Sequence, residues 1–222
     1  MNKDFFEKMD YTNKVYFAVA SNSDEAISGQ TITASFAYSR LEMYGVAASI
    51  QMDRIWAYIK TMNLNMPPEP SIVEENKVRD YFDSAKKLYT PLYIDIHFYF
   101  SSWDNIGKMM AVLSGQSVFQ EARKVYTSHI KHLENYRSAR HTFEHFDERL
   151  PGKKNEGRVR EVIIVPGSSP TQNYGGVSDD GFYEFSDKRW DIKPSSLNLL
   201  QNIVSEFKEE IHKKVDLILA SQ

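Results

Sequence analysis

Leu92-Tyr93-Ile94-Asp95-Ile96-His97-Phe98-Tyr99-Phe100-Ser101-Ser102-Trp103-Asp104-Asn105-Ile106, continued through Met110 and Leu113, is the stretch on which the fold turns. Leu92, Ile96, Tyr99, Trp103, Ile106, Met110 and Leu113 recur at alternating steps of four and three residues. That spacing lines one side of an α-helix and matches the seam of a helical bundle. Asp95, His97 and Asp104 interrupt the apolar rhythm, and His97 reads as a hydrogen-bonded core histidine. Thr90-Pro91 marks a start for this helix, because proline is tolerated in a first helical turn, and Gly115 marks its end.

Upstream, residues 33–63 carry Leu41, Tyr44, Ala48, Met52, Ile55, Ile59 and Met62 at helical spacing, and Met43, Ala47 and Ile50 widen the apolar surface. This predicts a long helix buried on more than one side. Pro67, Pro68 and Pro70 stop it. Ser71 and Glu74 have capping-box spacing and open a helix with Val78, Phe82, Ala85 and Leu88 on its apolar side. Residues 15–19 have the β-branched and aromatic content of a short strand.

Downstream, residues 117–150 form one more long helical pattern, with His129 and His132 on the side of Ile130 and Leu133 and therefore read as structural. After Pro151-Gly152 the period changes from 3.6 to 2. Residues 160–165 and 181–186 read as two antiparallel strands joined by a glycine- and serine-rich connection, with Gly175-Gly176 as a turn. Pro194-Ser195-Ser196 opens a closing helix with Leu200, Ile203, Phe207, Ile211 and Ile218 inward. The expectation is a mainly α, up-and-down bundle of about five helices. It forms one domain over residues 1–222, with a helical core at 33–150, a β-hairpin insertion at 158–190 and a closing helix at 194–220.

The chain has 222 residues, 41% of them hydrophobic, enough for a substantial core. It contains no cysteine, which excludes disulfides, thiolate metal sites and cysteine nucleophiles. Its first residues hold acids where a secretory signal needs an apolar run, and no window has the roughly 18 apolar residues of a membrane span. A soluble cytoplasmic protein is expected. The net charge of −3 argues against a general nucleic-acid coat, but between Arg137 and Arg160 the balance is locally +3.

That basic segment contains the densest group of proton-carrying side chains: Arg137, Arg140, His141, Glu144, His145, Asp147, Glu148 and Arg149. On a helix, Leu133, Tyr136, Ala139, Phe143, Phe146 and Leu150 share the apolar face. Arg137, His141, Glu144, His145 and Glu148 lie opposite or beside it, with Arg140 at the edge. Ion-pair lacing, such as Arg140 with Glu144 at i,i+4, accounts for the acids and arginines but does not call for two histidines one turn apart.

Arg140, followed by polar His141 and separated by four residues from His145, resembles the arginine–histidine motif of the HEPN superfamily, helical-bundle domains of bacterial toxins, defence proteins and RNA-processing enzymes. The likeness covers residues 33–150 and extends to the closing helix, whereas the strand pair is no part of the minimal family pattern. The resemblance implies a homodimer whose two motif copies form a cleft for metal-independent RNA cleavage, restrained in some members by an antitoxin or other protein partner. By carry-over, His145 is the acid/base and Arg140 the phosphate binder, with His141 and Arg137 assisting. Arg149, Lys153 and Lys154 extend the ground for an RNA or nucleotide substrate. On a straight helix Arg140 and His145 point about 140° apart. Either the arginine wraps around or a second subunit completes the site.

Two other readings use the same residues. His141, Glu144 and His145 match a His-x-x-Glu-His zinc-hydrolase pattern, with Glu148 one turn further on and His97 or Asp95 as a further ligand, so that zinc is the alternative cofactor. A helical bundle of this kind can also serve as a non-catalytic interaction or RNA-sensing module.

Overall fold

In the computed structural model the described residues are 8–21, 29–65, 75–144, 176–178, 180–185 and 188–222. Five α-helices account for most of them: α1 (Tyr11–Ser21), α2 (Gly29–Asn65), α3 (Glu75–Ser114), α4 (Gln120–Glu144) and α5 (Pro194–Ala220). Three short strands, β1 (Gly176–Val177), β2 (Phe182–Phe185) and β3 (Lys188–Asp191), form an antiparallel sheet in that order just before α5. The mainly helical bundle with a small sheet ahead of its closing helix is therefore the fold. The expected strand at 160–165, the Ser71/Glu74 capping box and the helical continuation over residues 145–150 lie outside the described residues.

Three local expectations are corrected. Residues 15–19 belong to α1, not to a strand. Asp10 caps this helix, its carboxylate accepting the backbone N–H of Asn13 at 3.0 Å, and Val15, Ala18 and Val19 are buried at helical spacing. Pro91 does not begin a helix but lies inside α3, which runs unbroken from Glu75 to Ser114. Gly176, expected in a turn with Gly175, instead pairs with Glu184 as part of β1, while Gly175 lies outside the described residues. The strand expected over 181–186 is β2, and β3 pairs with it through Phe182–Asp191 and Tyr183–Trp190. At Gly181 φ is +80°, and a Cβ would meet the Lys193 side chain at 2.6 Å, so the residue entering β2 must be glycine.

The chain divides into two compact units, each of which has its own core. The first comprises residues 1–47, 102–137 and 198–222. Trp103, Ile106, Met110 and Leu113 of α3 are fully buried there, as are Phe207, Ile211 and Val215 of α5. Trp103 stacks on Tyr136 of α4 with centroids 4.0 Å apart. Gly107 lets α3 and α4 approach closely, a Cβ there reaching Leu133 at 3.4 Å. His129 bonds Glu206 of α5 at 3.0 Å while His132 is exposed, so His132 is not the inward-facing residue the pattern predicts.

The second unit comprises residues 48–101 and 138–197. Leu92, Ile96, Tyr99 and Phe100 of α3 are fully buried, and Phe100 meets Tyr183 and Trp190 of the sheet at 5.8 and 6.3 Å. Two polar bonds fix the sheet's exit into α5. Trp56 Nε1 donates to the carbonyl of Ile192 at 3.0 Å, and the Tyr99 and Ser196 hydroxyls are 2.8 Å apart in the interior. Ser196 also donates to the Lys193 carbonyl, and Asp191 accepts from the Lys193 backbone N–H, so the start of α5 is tied at several points.

Candidate functional site

The C-terminal turns of α4 enter the second unit at Ser138, and Ala139 and Thr142 are fully buried there. This register turns Arg140 toward its edge: the side chain is mostly buried and pairs with Glu144 at 2.9 Å, one turn on. The i,i+4 pair expected from the spacing is thus formed. It is worth a few tenths of a kcal/mol where water reaches it, about 0.3–0.5 kcal/mol. Its larger effect is geometric, because it fixes the orientation of the guanidinium.

Phe143 carries the motif helix onto α3. Its ring centroid lies 5.2 Å from that of His97, 6.4 Å from Tyr93 and 5.4 Å from Tyr183. His97 is therefore not the hydrogen-bonded core histidine suggested by its place in the seam. It is half-buried between aromatic rings, 5.6 Å from Phe98, and within electrostatic reach of both Arg140 and Glu144. Burial holds its pKa below the ordinary value of 6.5, Glu144 opposes that shift and Arg140 reinforces it. An imidazole whose pKa is held below 6.5 is largely neutral at pH 7 and so has a free ring nitrogen on which to take up a proton.

On the outer side of α3, Ile94 and Phe98 are one turn apart and exposed, Phe98 to 51%. A half-open phenyl ring beside the His97 imidazole is a surface on which a nucleobase or another flat ring can stack. Tyr93 and Tyr183 close the inner side, where burial pushes the Tyr93 hydroxyl up to about 12 and the Tyr183 hydroxyl further, so both are neutral donors. Asp95, one residue before the seam position Ile96, is buried and ion-paired with Arg54 at 3.1 Å. Desolvation raises its pKa against the pull of Arg54.

The other sequence-chosen residues are placed as follows. His141 is half-buried on α4. Arg137 belongs to the first unit, where its Nε lies 3.9 Å from Asp104, a buried carboxylate already held by Lys108 at 2.7 Å. Arg137 thus has a structural partner in its own unit. His145, Glu148, Arg149, Lys153 and Lys154 lie outside the described residues. Among the described residues no group of three histidine, aspartate or glutamate side chains is arranged to hold a metal ion, and no helix is long and apolar enough to cross a membrane. A cavity of about 460 Å³ in the first unit, between the start of α4 and Glu210, Lys213 and Leu217 of α5, contains none of the candidate residues.

No family model matches the chain, and no curated protein or solved structure is significantly similar to it. The functional reading therefore rests on its own side chains.

Proposed function

We propose that the chain is a metal-independent endoribonuclease of HEPN-like type, of the kind deployed by toxin or defence systems. The observation that carries this reading is the grouping of Arg140, the neutral His97 imidazole and the exposed Phe98 ring in one unit. These supply a cation for the phosphate, a proton acceptor and a stacking surface for a base. Arg140 holds the scissile phosphate and offsets the charge that develops on its oxygens. His145 acts as the acid/base, with His141 beside it in the motif. His97 is the second imidazole, supplied by α3.

The reaction needs no external oxidant or metal. The ribose 2′-oxygen loses its proton to an imidazole and attacks phosphorus, the bond from phosphorus to the 5′-oxygen breaks, and a protonated group gives that oxygen a hydrogen. The products are a 2′,3′-cyclic phosphate and a 5′-hydroxyl. The +3 segment from Arg137 to Arg160 favours accumulation of a polyanion near the motif.

The test is incubation of the 222-residue chain with a fluorescent single-stranded RNA, with and without chelator. Cleavage should survive chelation and fall at least about 100-fold in His145→Ala and Arg140→Ala, as expected for loss of an acid/base or charge-stabilising group. Loss of activity with chelator, accompanied by stoichiometric zinc, would replace this reading with the His141–His145–Glu148 metal site. RNA binding without cleavage would leave a non-catalytic RNA-sensing module.

A further inference from the structure

The helix α2 carries an apolar stripe that the sequence pattern places indoors and the structure places outside. Ile32, Phe36, Met43, Val46 and Ile50 are all exposed, Phe36 to 63% and Val46 to 62%. Met43 and Ile50 were expected to widen a buried surface, but the buried side of α2 is instead set by Ala34, Ala37, Tyr38, Leu41 and Ala48. The exposed residues do not scatter. With Ser39 they fall at 32, 36, 39, 43, 46 and 50, steps of four and three repeated without a break. At about 100° per residue they occupy an arc of about 80°, and they run about 27 Å along the helix. A stripe this narrow and this regular has the spacing of a two-stranded coiled-coil seam rather than the broad face of a helix lying on a lipid surface.

We propose that this stripe is a homodimerisation seam, occupied by α2 of a second copy of the chain running parallel and in register. The inference does not depend on the nuclease reading. The flanking residues select both the partner and its direction. One side of the seam is bordered by Thr33, Arg40 and Ala47 and the other by Ser35, Glu42 and Ser49. In a parallel pair these two sides face each other with a five-residue offset, so Ser35 meets the partner's Arg40 and Glu42 meets the partner's Ala47, and no like charges oppose. An antiparallel pair would set Arg40 against its own copy and Glu42 against its own copy, which is unfavourable. Glu42 is also held by Lys208 of its own chain at 2.5 Å, so the like-charge opposition that disfavours the antiparallel pair is chiefly that of Arg40 with its copy.

Packing agrees with this register. Phe36, the bulkiest knob, is followed at the next seam position by Ser39, whose small side chain leaves room for two facing rings. Covering the exposed parts of these side chains removes about 500 Å² per copy, or about 1,000 Å² in all, which reaches the size of a specific if modest interface. An affinity in the micromolar range is expected for that area and chemistry.

The 222-residue chain contains no cysteine, so a single engineered thiol reports on this seam alone. Sedimentation equilibrium at micromolar concentration should show a reversible dimer, and Val46→Asp, a change at an exposed position, should shift it to monomer with unchanged helical circular dichroism. Val46→Cys should form a covalent dimer under mild oxidation, because a parallel pair brings the two copies of residue 46 together. A monomeric wild-type chain at 100 μM, or an unchanged dimer in Val46→Asp, would overturn the seam. A reversible dimer whose Val46→Cys variant does not cross-link, while an equimolar mixture of Phe36→Cys and Val46→Cys does, would overturn the parallel register.

Discussion

Replacing Pro91 by alanine should stabilise the protein, and the size of the gain follows from where the residue sits. Inside a helix, proline lacks the N–H that would bond the carbonyl of Lys87, and its ring presses on that carbonyl. The combined cost relative to alanine is about 3 kcal/mol. Pro91 is half-buried, so alanine gives up only about half the burial of two methylene groups, about 0.8 kcal/mol. The net gain is therefore about 2 kcal/mol, or about 4–8 °C in Tm for a chain of this length. Urea unfolding followed by circular dichroism measures it directly, with the slope checked for change. If α3 were two helices meeting at Thr90-Pro91, proline would occupy a favourable first turn and Pro91→Ala would be neutral or destabilising. An unchanged or lowered midpoint would refute the continuous helix.

Three further outcomes are expected. Ile106→Ala empties a fully buried position in the first unit and should cost about 2–5 kcal/mol in urea unfolding, whereas Ile94→Ala, at an exposed position, should change stability by less than about 0.5 kcal/mol. Arg54→Leu leaves the buried Asp95 carboxylate without its cation. The variant should be less stable than wild type at pH 7, and the deficit should shrink as the pH falls and Asp95 takes up a proton. His212 stacks on Tyr11 at 3.6 Å and bonds the Tyr38 hydroxyl at 2.5 Å, and its pKa is lowered chiefly by burial and by Lys208. Because the folded state binds this proton less readily than the unfolded one, the contribution is complete above about pH 6.5 and is lost as the pH falls through the folded value. His212→Phe should therefore show a shallower loss of stability between pH 7.5 and pH 5 than wild type, whatever its baseline.

The helices were legible wherever a single apolar face repeated, because that periodicity is a local property. Leu92 through Leu113 read as a seam, and all seven positions are fully buried. The reading failed where two local signals competed. Pro91 looks like a helix start in isolation, yet the apolar residues on both sides hold the helix together through it. Residues 15–19 have strand-like composition, and the decisive signal was Asp10 three residues before Asn13, a capping position outside the window. The direction of the apolar surface on α2 was not legible either, since one helix carries two apolar stripes and only tertiary packing decides which is covered.

The candidate site divides the same way. The pairing of Arg140 with Glu144 follows from i,i+4 spacing along one helix. The approach of His97 does not, because it depends on which faces of α3 and α4 meet around Phe143. Exposed Phe98, next to a histidine on an otherwise apolar helix, was the sequence feature that could have pointed to it. The proximity of Arg137 to Asp104 was not legible either, because the two residues are far apart in the sequence and no local pattern links them.

The central claim, in-line attack by a ribose hydroxyl on a phosphate held by Arg140, is tested most directly by the chemistry of the cut ends. Mass spectrometry of products from a defined oligoribonucleotide, digested in the presence of chelator, should show 2′,3′-cyclic phosphate and 5′-hydroxyl termini, with the all-deoxy oligonucleotide left intact. Products ending in 3′-hydroxyl and 5′-phosphate, or cleavage of the deoxy strand, would contradict the account.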